Sequence, residues 1–189
     1  VECKPWFRAP LDRPIRFLDL CTGSGCLGVT LALSVAESTG VLADLEAGAC
    51  EVAQENVEFH QVGDRVEGIQ SDGFNELFDE RFDLIICNPP YVDAEDMAEL
   101  PPEYQKEPAV ALASGEDGLD LVRRLLGQAA DWQSDEGIMI LEVGNTWGLL
   151  DREVVARTGE PVQWCQFEFG GHGVCVLSKR ELNALYSAF

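Results

Sequence analysis

The chain has 189 residues, of which 46% are hydrophobic and 25% charged, an ordinary balance for one globular domain with a sizeable core. Its formal net charge of -21 would repel a nucleic-acid backbone and attract a basic protein, and it equally fits a salt-adapted or very soluble surface. No apolar run is long enough to span a bilayer. The seven cysteines lack zinc-knuckle spacing, which indicates buried thiols in a reducing cytosol rather than a disulfide or metal framework.

Short apolar runs alternate with helical patterns, which predicts a parallel sheet covered by helices on both faces. The strands are expected at 15–20, 41–44, 66–70, 82–87 and 138–143, and the helices at 25–38, 47–62, 118–133 and 146–158. The segment from 88 to about 116 is rich in proline and acid and too long for an ordinary connection, so a functional role is expected for it. Two further strands at 162–169 and 174–178 are expected to form an antiparallel hairpin, which completes a seven-stranded, mostly parallel sheet.

A glycine-rich turn joins the first strand to the first helix. Gly23 and Gly25 let its backbone approach a ligand closely, and the amides at the helix start favour a carboxylate or phosphate. Asp44 ends the second strand and Asp72 follows the third. Because the carboxyl ends of parallel strands meet at one edge, the turn and both acids are expected to line one crevice that fits a nucleoside with a carboxylate tail. Each feature alone is weak evidence, since dinucleotide enzymes also carry a glycine turn.

Asn88-Pro89-Pro90-Tyr91 directly follows the fourth strand. The prolines stiffen the backbone and remove N–H donors, which leaves carbonyl oxygens without local partners. Asn88 adds a side-chain oxygen, so two acceptors can hold an NH2 group, while Tyr91 offers an aromatic face to a planar amide or base. Methylation of an unreactive planar nitrogen requires such acceptors, because they stabilise the positive charge that grows on the nitrogen. A rigid Pro-Pro turn without a ligand is the alternative.

Together these residues resemble the motifs of class I S-adenosylmethionine-dependent methyltransferases that act on nitrogen. The stretches 91–97 and 107–120 are similar to the protein-glutamine methyltransferase family. They are closer to its branch that modifies a glutamine of the third large-subunit ribosomal protein than to the branch that acts on release factors. The resemblance implies a Rossmann-like α/β fold and a cytoplasmic enzyme. It also implies S-adenosylmethionine as cofactor, no metal, and a basic ribosomal protein as partner, with no nucleic acid and no membrane.

By this resemblance the site residues fall into two groups. The cofactor-binding group would be Asp19, Cys21, Thr22, Gly23, Ser24, Gly25, Asp44, Leu45, Asp72, Gly73 and Asn88, and the catalytic group would be Asn88, Pro89, Pro90 and Tyr91. The residues from Cys21 to Gly25 would cradle the methionine part and Asp44 the ribose. Asp72 and Gly73 would lie near adenine, and Asn88 with the Pro89 carbonyl would hold the glutamine amide.

The chain departs from the family pattern in two places. The family normally carries an N-terminal helical domain and a segment that covers the cofactor, and this sequence lacks both. Since the chain also lacks an initiator Met and a leader, residues 1–14 are expected to be a linker from such a domain and residues 15–189 the catalytic domain. Family members often have a polar residue after the ribose-binding acid, where this chain has Leu45.

Two other functions stay open. Methylation of the exocyclic amine of adenine in DNA or RNA uses the same four-residue motif, but it calls for a basic stripe that the sequence lacks. A non-catalytic cofactor-binding or assembly module is the third reading. The two histidines, His60 and His172, lie far apart in the sequence, so neither a metal site nor a histidine-activated nucleophile is expected.

Overall fold

A computed structural model describes residues 14–78, 80–90, 117–167 and 171–186. Within these ranges strands and helices alternate, except that the strands at 66–70 and 82–87 follow one another without a helix, as predicted. The strands are β1 Arg16–Leu20, β2 Thr39–Asp44, β3 Val66–Gln70, β4 Phe82–Cys87, β5 Gln133–Glu142 and β6 Val174–Ser178. The α-helices are α1 Cys26–Ser34, α2 Ala47–Phe59, α3 Asp120–Trp132, α4 Trp147–Thr158 and α5 Lys179–Tyr186. A 3-10 helix lies at Gly144–Thr146. None of these helices is long and apolar enough to cross a membrane.

The six strands form one sheet in the order β3-β2-β1-β4-β5-β6. β1 to β5 are parallel, and β6 runs antiparallel to β5. The chain moves outward from β1 to β3 and then returns to β4 on the other side of β1, so the strand order reverses between β1 and β4. In open α/β sheets, ligands bind at such a switch point, outside the carboxyl ends of the strands.

Each face of the sheet packs against its own helices. Successive side chains of a strand point to opposite faces, so Phe17 joins one core and Leu18 the other. The core of Phe17 contains Val29 of α1 and Val57 of α2, whereas the core of Leu18 contains apolar residues of α3, α4 and α5. The predicted sandwich, with helices on both faces of a mostly parallel sheet, is therefore confirmed.

The predicted count of seven strands is wrong for the described residues, which form six. The expected strand at 162–169 contributes only an isolated antiparallel bridge between Trp164 and Cys175. Asp151 on α4 accepts hydrogen bonds from the Val162 backbone N–H at 3.0 Å and from the Trp164 indole N–H at 2.9 Å. Because these bonds tie the segment to α4, only a short stretch pairs with β6. The end of the expected strand and the start of its turn, residues 168–170, lie outside the described residues.

Helix α5 is not among the predicted helices. This helix begins after Ser178, whose backbone N–H and hydroxyl both donate to Glu181 Oε2, at 2.7 and 2.6 Å. This Ser-x-x-Glu spacing is the signature of a capping box, and it precedes two side chains, Leu182 and Leu185, that are buried in the core. A local signal for the helix was therefore present in the sequence.

Candidate active site at the carboxyl edge of the sheet

The turn after β1 uses backbone conformations that favour glycine. Gly23 and Gly25 have φ of 55° and 77°, and Cys21 has φ of 59°, which is uncommon for a residue with a side chain. A Cβ on Gly25 would lie 3.0 Å from Leu42 Cδ1, so glycine also permits close packing over β2. The turn leads directly into α1, whose N-terminal amides therefore lie at the carboxyl edge of the sheet.

Asp19 supports this turn from inside the protein. Its side chain is buried, and Oδ2 accepts hydrogen bonds from the Thr22 hydroxyl at 2.7 Å and from the Gly28 N–H at 2.8 Å. Burial raises the pKa of Asp19 to about 6, although the two hydrogen bonds oppose the rise, and the nearby charge of Asp44 adds to it. The carboxylate thus joins the end of β1, the turn and the first turns of α1.

Asp44, at the end of β2, holds the same turn from the other side. Its Oδ2 accepts the Gly23 N–H at 2.8 Å, and its Oδ1 accepts the Glu46 N–H at 3.0 Å. Each oxygen keeps a second lone pair, and the residue is half-buried, so the carboxylate can still accept hydrogen bonds from a diol. The Ser71 N–H donates to the Asp44 carbonyl at 2.7 Å, which brings the end of β3 to the same edge, while Leu45 is exposed beside it.

The turn after β3 places Asp72 against an arginine that the sequence analysis does not identify. Arg124 on α3 donates from Nη1 to Oδ2 at 2.9 Å and from Nη2 to Oδ1 at 2.6 Å. These hydrogen bonds hold the pKa of Asp72 below its usual range. The next residue, Gly73, has φ of 64°. Asp72 and Arg124 lie 52 positions apart, so no local pattern reveals their pairing.

The Asn-Pro-Pro segment leaves β4 at this same edge. Cys87 pairs with Leu20 in the register between β4 and β1, so Asn88 and Cys21 are the next residues beyond two adjacent strand ends. The described part of the motif ends at Pro90. The predicted role of Tyr91 falls on a residue outside the described ranges.

Burial differs among the three described residues of the motif. Asn88 is exposed, whereas Pro89 is buried and Pro90 is half-buried. An exposed amide residue is therefore followed by prolines that pack into the fold. This is the combination that a rigid holder of a polar ligand needs.

The strand order sets the sequence of these features along the edge. β3, β2, β1 and β4 are neighbours, so the turn of Asp72, then Asp44, then the glycine turn and then Asn88 follow one another. A position of Asn88 on the far side of the sheet from Gly23 and Asp44 would have contradicted the predicted site. The structure instead brings the described site residues to one edge.

A second arginine fixes the start of α3. Arg123 Nη2 donates to Asp117 Oδ2 at 2.6 Å, and its Nε donates to Glu153 Oε2 on α4 at 2.9 Å. Hydrogen bonding to Arg123 lowers the pKa of Asp117. The start of α3 is therefore fixed to α4, a contact that the sequence analysis does not identify.

The two histidines contact different residues in separate parts of the fold. His172 Nε2 lies 3.0 Å from Asn145 Oδ1, and the His60 ring packs edge-on against Phe59. In the part of the chain that the structure describes, no three His, Cys, Asp or Glu side chains cluster as metal ligands.

Comparisons with known proteins place the chain among methyltransferases. The model of the Methyltransferase small domain family matches residues 9–104. The chain is 40% identical over 189 residues to the ribosomal protein uL3 glutamine methyltransferase of Francisella tularensis, and 45% identical over 179 residues to the protein of the same name in Bordetella pertussis. These alignments cover 100% and 95% of the chain but 59% of each relative, so the chain spans about three fifths of their length.

The fold has counterparts among solved structures. The ribosomal protein L11 methylase of Lactobacillus delbrueckii subsp. bulgaricus is similar with a TM-score of 0.60, at 16% sequence identity, over 89% of this chain and 72% of that chain. At this identity the likeness establishes the Rossmann-like architecture alone.

Proposed function

Because the chain belongs to the Methyltransferase small domain family, we propose that it transfers a methyl group from S-adenosylmethionine to the side-chain amide of a glutamine in ribosomal protein uL3. The observation that carries the proposal is the common edge, where Asp44 ends its strand and the glycine turn, Asp72 and Asn88 each follow one. The names of the two relatives supply the acceptor, and the proposal concerns the full-length protein.

The residues present fit this cofactor. Asp44 has lone pairs left for two ribose hydroxyls, and a Cβ at Gly23 would meet nothing within 4 Å, so there is open space beside the turn. The N-terminus of α1 favours the carboxylate of the methionine part. Asp72 and Gly73 would flank the adenine. When bound, S-adenosylmethionine supplies an electrophilic methyl carbon attached to a sulfonium sulfur.

Asn88 and the Pro89 carbonyl would hold the acceptor. An amide nitrogen is a poor nucleophile, because its lone pair is delocalised. Two oxygens that accept its N–H bonds orient the lone pair and stabilise the positive charge that develops as the new C–N bond forms. Alignment of the two reactants recovers roughly 7–11 kcal/mol of the barrier. The excess proton leaves to water after transfer, so the residues need not include a strong base. Tyr91 would add an aromatic face beside the planar amide.

The charge of the chain suits this acceptor. A net charge of -21 attracts a basic ribosomal protein, speeds their association and opposes the approach of nucleic acid. We further propose that the protein acts in the cytoplasm, that residues 15–189 are its catalytic domain, and that neither a metal nor a membrane takes part.

The test uses full-length protein, S-adenosylmethionine labelled in its methyl group, and three acceptors: uL3, a class 1 release factor and adenine-containing DNA. We expect label on uL3, and Asn88→Ala should reduce its rate of incorporation by about 100-fold, the typical effect of losing one aligned polar group. Asn183→Ala on the exposed face of α5 is the matched control and should retain the wild-type rate.

Each other outcome rejects a defined part of the proposal. Label only on DNA would replace the acceptor with an adenine amine, and label only on the release factor would move the enzyme to the sibling specificity. Binding of the cofactor without transfer to any acceptor would indicate a non-catalytic module.

A further inference from the structure

Two consecutive arginines near the start of α3 lead to different parts of the fold. Arg123 contacts Asp117 and Glu153, on the side of α4, whereas Arg124 reaches Asp72 beyond the end of β3. The Arg124 pair is bidentate, with one Nη on each carboxylate oxygen. A planar guanidinium bound in this way fixes both the position and the plane of the carboxylate.

The turn that carries Asp72 makes two further contacts with α3. A Cβ on Gly73 would lie 3.1 Å from Leu125 Cδ2, so the backbone of the turn lies directly against the helix. The Phe74 ring stacks on Trp132, with ring centroids 5.6 Å apart and planes 11° from parallel. Helix α3 therefore supports the turn along its length, and Arg124 is the polar member of this contact.

We propose that Arg124 is a positioning residue that orients Asp72 for the adenine end of the cofactor, and thereby sets cofactor affinity without taking part in methyl transfer. This inference rests on the proposed function, which places adenine beside Asp72 and Gly73. Both Asp72 oxygens bond Arg124 through one lone pair each, which leaves the remaining lone pairs for the exocyclic amine of adenine. Without Arg124, the half-exposed carboxylate would rotate freely, and ordering it would then oppose binding.

The same geometry predicts that lysine replaces Arg124 poorly. An ammonium group can bond one carboxylate oxygen strongly, but it cannot hold the plane of both. Arg124→Gln should therefore weaken binding of S-adenosylhomocysteine by about fivefold, in keeping with a partly exposed ion pair, and Arg124→Lys should recover part of this loss. The KM for S-adenosylmethionine should rise by a similar factor, while kcat at saturating cofactor stays at the wild-type value.

The experiment measures S-adenosylhomocysteine binding by titration calorimetry and uL3 methylation kinetics for full-length wild type, Arg124→Gln, Arg124→Lys, Asp72→Ala and the double variant Asp72→Ala with Arg124→Gln. Arg180→Gln is the matched control, because it removes the same charge from an exposed position at the start of α5. This helix follows β6, which runs antiparallel to β5 and therefore ends at the edge of the sheet opposite to the candidate site. If Arg124 acts through Asp72, the double variant should bind no more weakly than Asp72→Ala alone.

The outcomes separate this inference from the proposed function. Wild-type protein that binds no S-adenosylhomocysteine rejects both. Wild-type binding that Arg124→Gln leaves unchanged rejects only the role of Arg124. A lower kcat with unchanged KM, or losses that add fully in the double variant, would also overturn it. An equal loss of S-adenosylhomocysteine affinity in Arg180→Gln would show that the effect arises from net charge alone.

Discussion

The substitution Asp19→Asn removes a buried carboxylate while keeping its hydrogen bonds. The Thr22 hydroxyl and the Gly28 N–H donate to the same oxygen of Asp19, so an amide oxygen in that position can accept both. Asp19 is only 1% exposed, and its pKa is raised from 3.8 to about 6. That difference corresponds to about 3 kcal/mol between the protonated and charged forms.

The effect on stability should depend on pH with a definite sign. The folded protein favours the protonated form of Asp19, so the stability it contributes is fully present below pH 3.8 and is lost as the pH rises through about 6. An amide does not ionise in this range. The free energy of unfolding of Asp19→Asn should therefore increasingly exceed that of the wild type as the pH rises from about 4 to about 7, and the difference should then stay constant at about 3 kcal/mol.

Urea unfolding followed by tryptophan fluorescence measures this difference. Comparing the two proteins at each pH cancels the titration of the other acids, apart from Asp44, whose charge raises the pKa of Asp19. A stability difference that stays constant, or shrinks, as the pH rises from about 4 to about 7 would refute the reasoning that burial of a charged Asp19 destabilises the fold.

Other predictions follow from packing and thiol burial. A Cβ on Gly28 would lie 2.2 Å from Leu42 Cδ2, so Gly28→Ala should lower the free energy of unfolding by about 1–3 kcal/mol. Gly48→Ala in α2, where a Cβ would meet nothing within 4 Å, should instead raise it by up to about 1 kcal/mol, and equal effects in urea unfolding would contradict the packing argument. Cys26 is exposed, whereas Cys87 is buried and burial raises the pKa of its thiol. In a thiol-reagent assay at about pH 8, Cys26 should therefore react rapidly, and Cys87 should stay unreactive until the protein unfolds. Cys26→Ser should therefore remove one rapid equivalent and Cys87→Ser none.

Local patterns predict the features of this fold that depend on neighbours in sequence. The apolar run of β4 ends at Cys87, and the motif begins at the next residue, so the position of Asn88 at a strand end follows directly from the sequence. The same holds for Asp44, the last residue of β2. Since all parallel strands present their carboxyl ends at one edge, the strand ends alone predict the candidate site, without knowledge of the strand order.

Contacts between distant segments could not be predicted in the same way. The pairing of Arg124 with Asp72 depends on where α3 crosses the sheet, and a single sequence contains no signal for it. Among the described residues, the expected strand at 162–169 contributes only an isolated bridge for a similar reason, because Asp151 of α4 binds donors of a segment whose residue pattern indicates a strand. Helix α5 is different, since the capping box from Ser178 to Glu181 is a local signal that indicates the start of a helix.

We propose that the carboxyl edge holds a methyl donor beside an NH2 group bound by Asn88. Tandem mass spectrometry of uL3 peptides, after incubation with the full-length protein and S-adenosylmethionine, tests it most directly. We predict one methyl group on a glutamine side-chain nitrogen, nearly absent with Asn88→Ala. A methyl group on any other atom type, or undiminished glutamine methylation by Asn88→Ala, would contradict it.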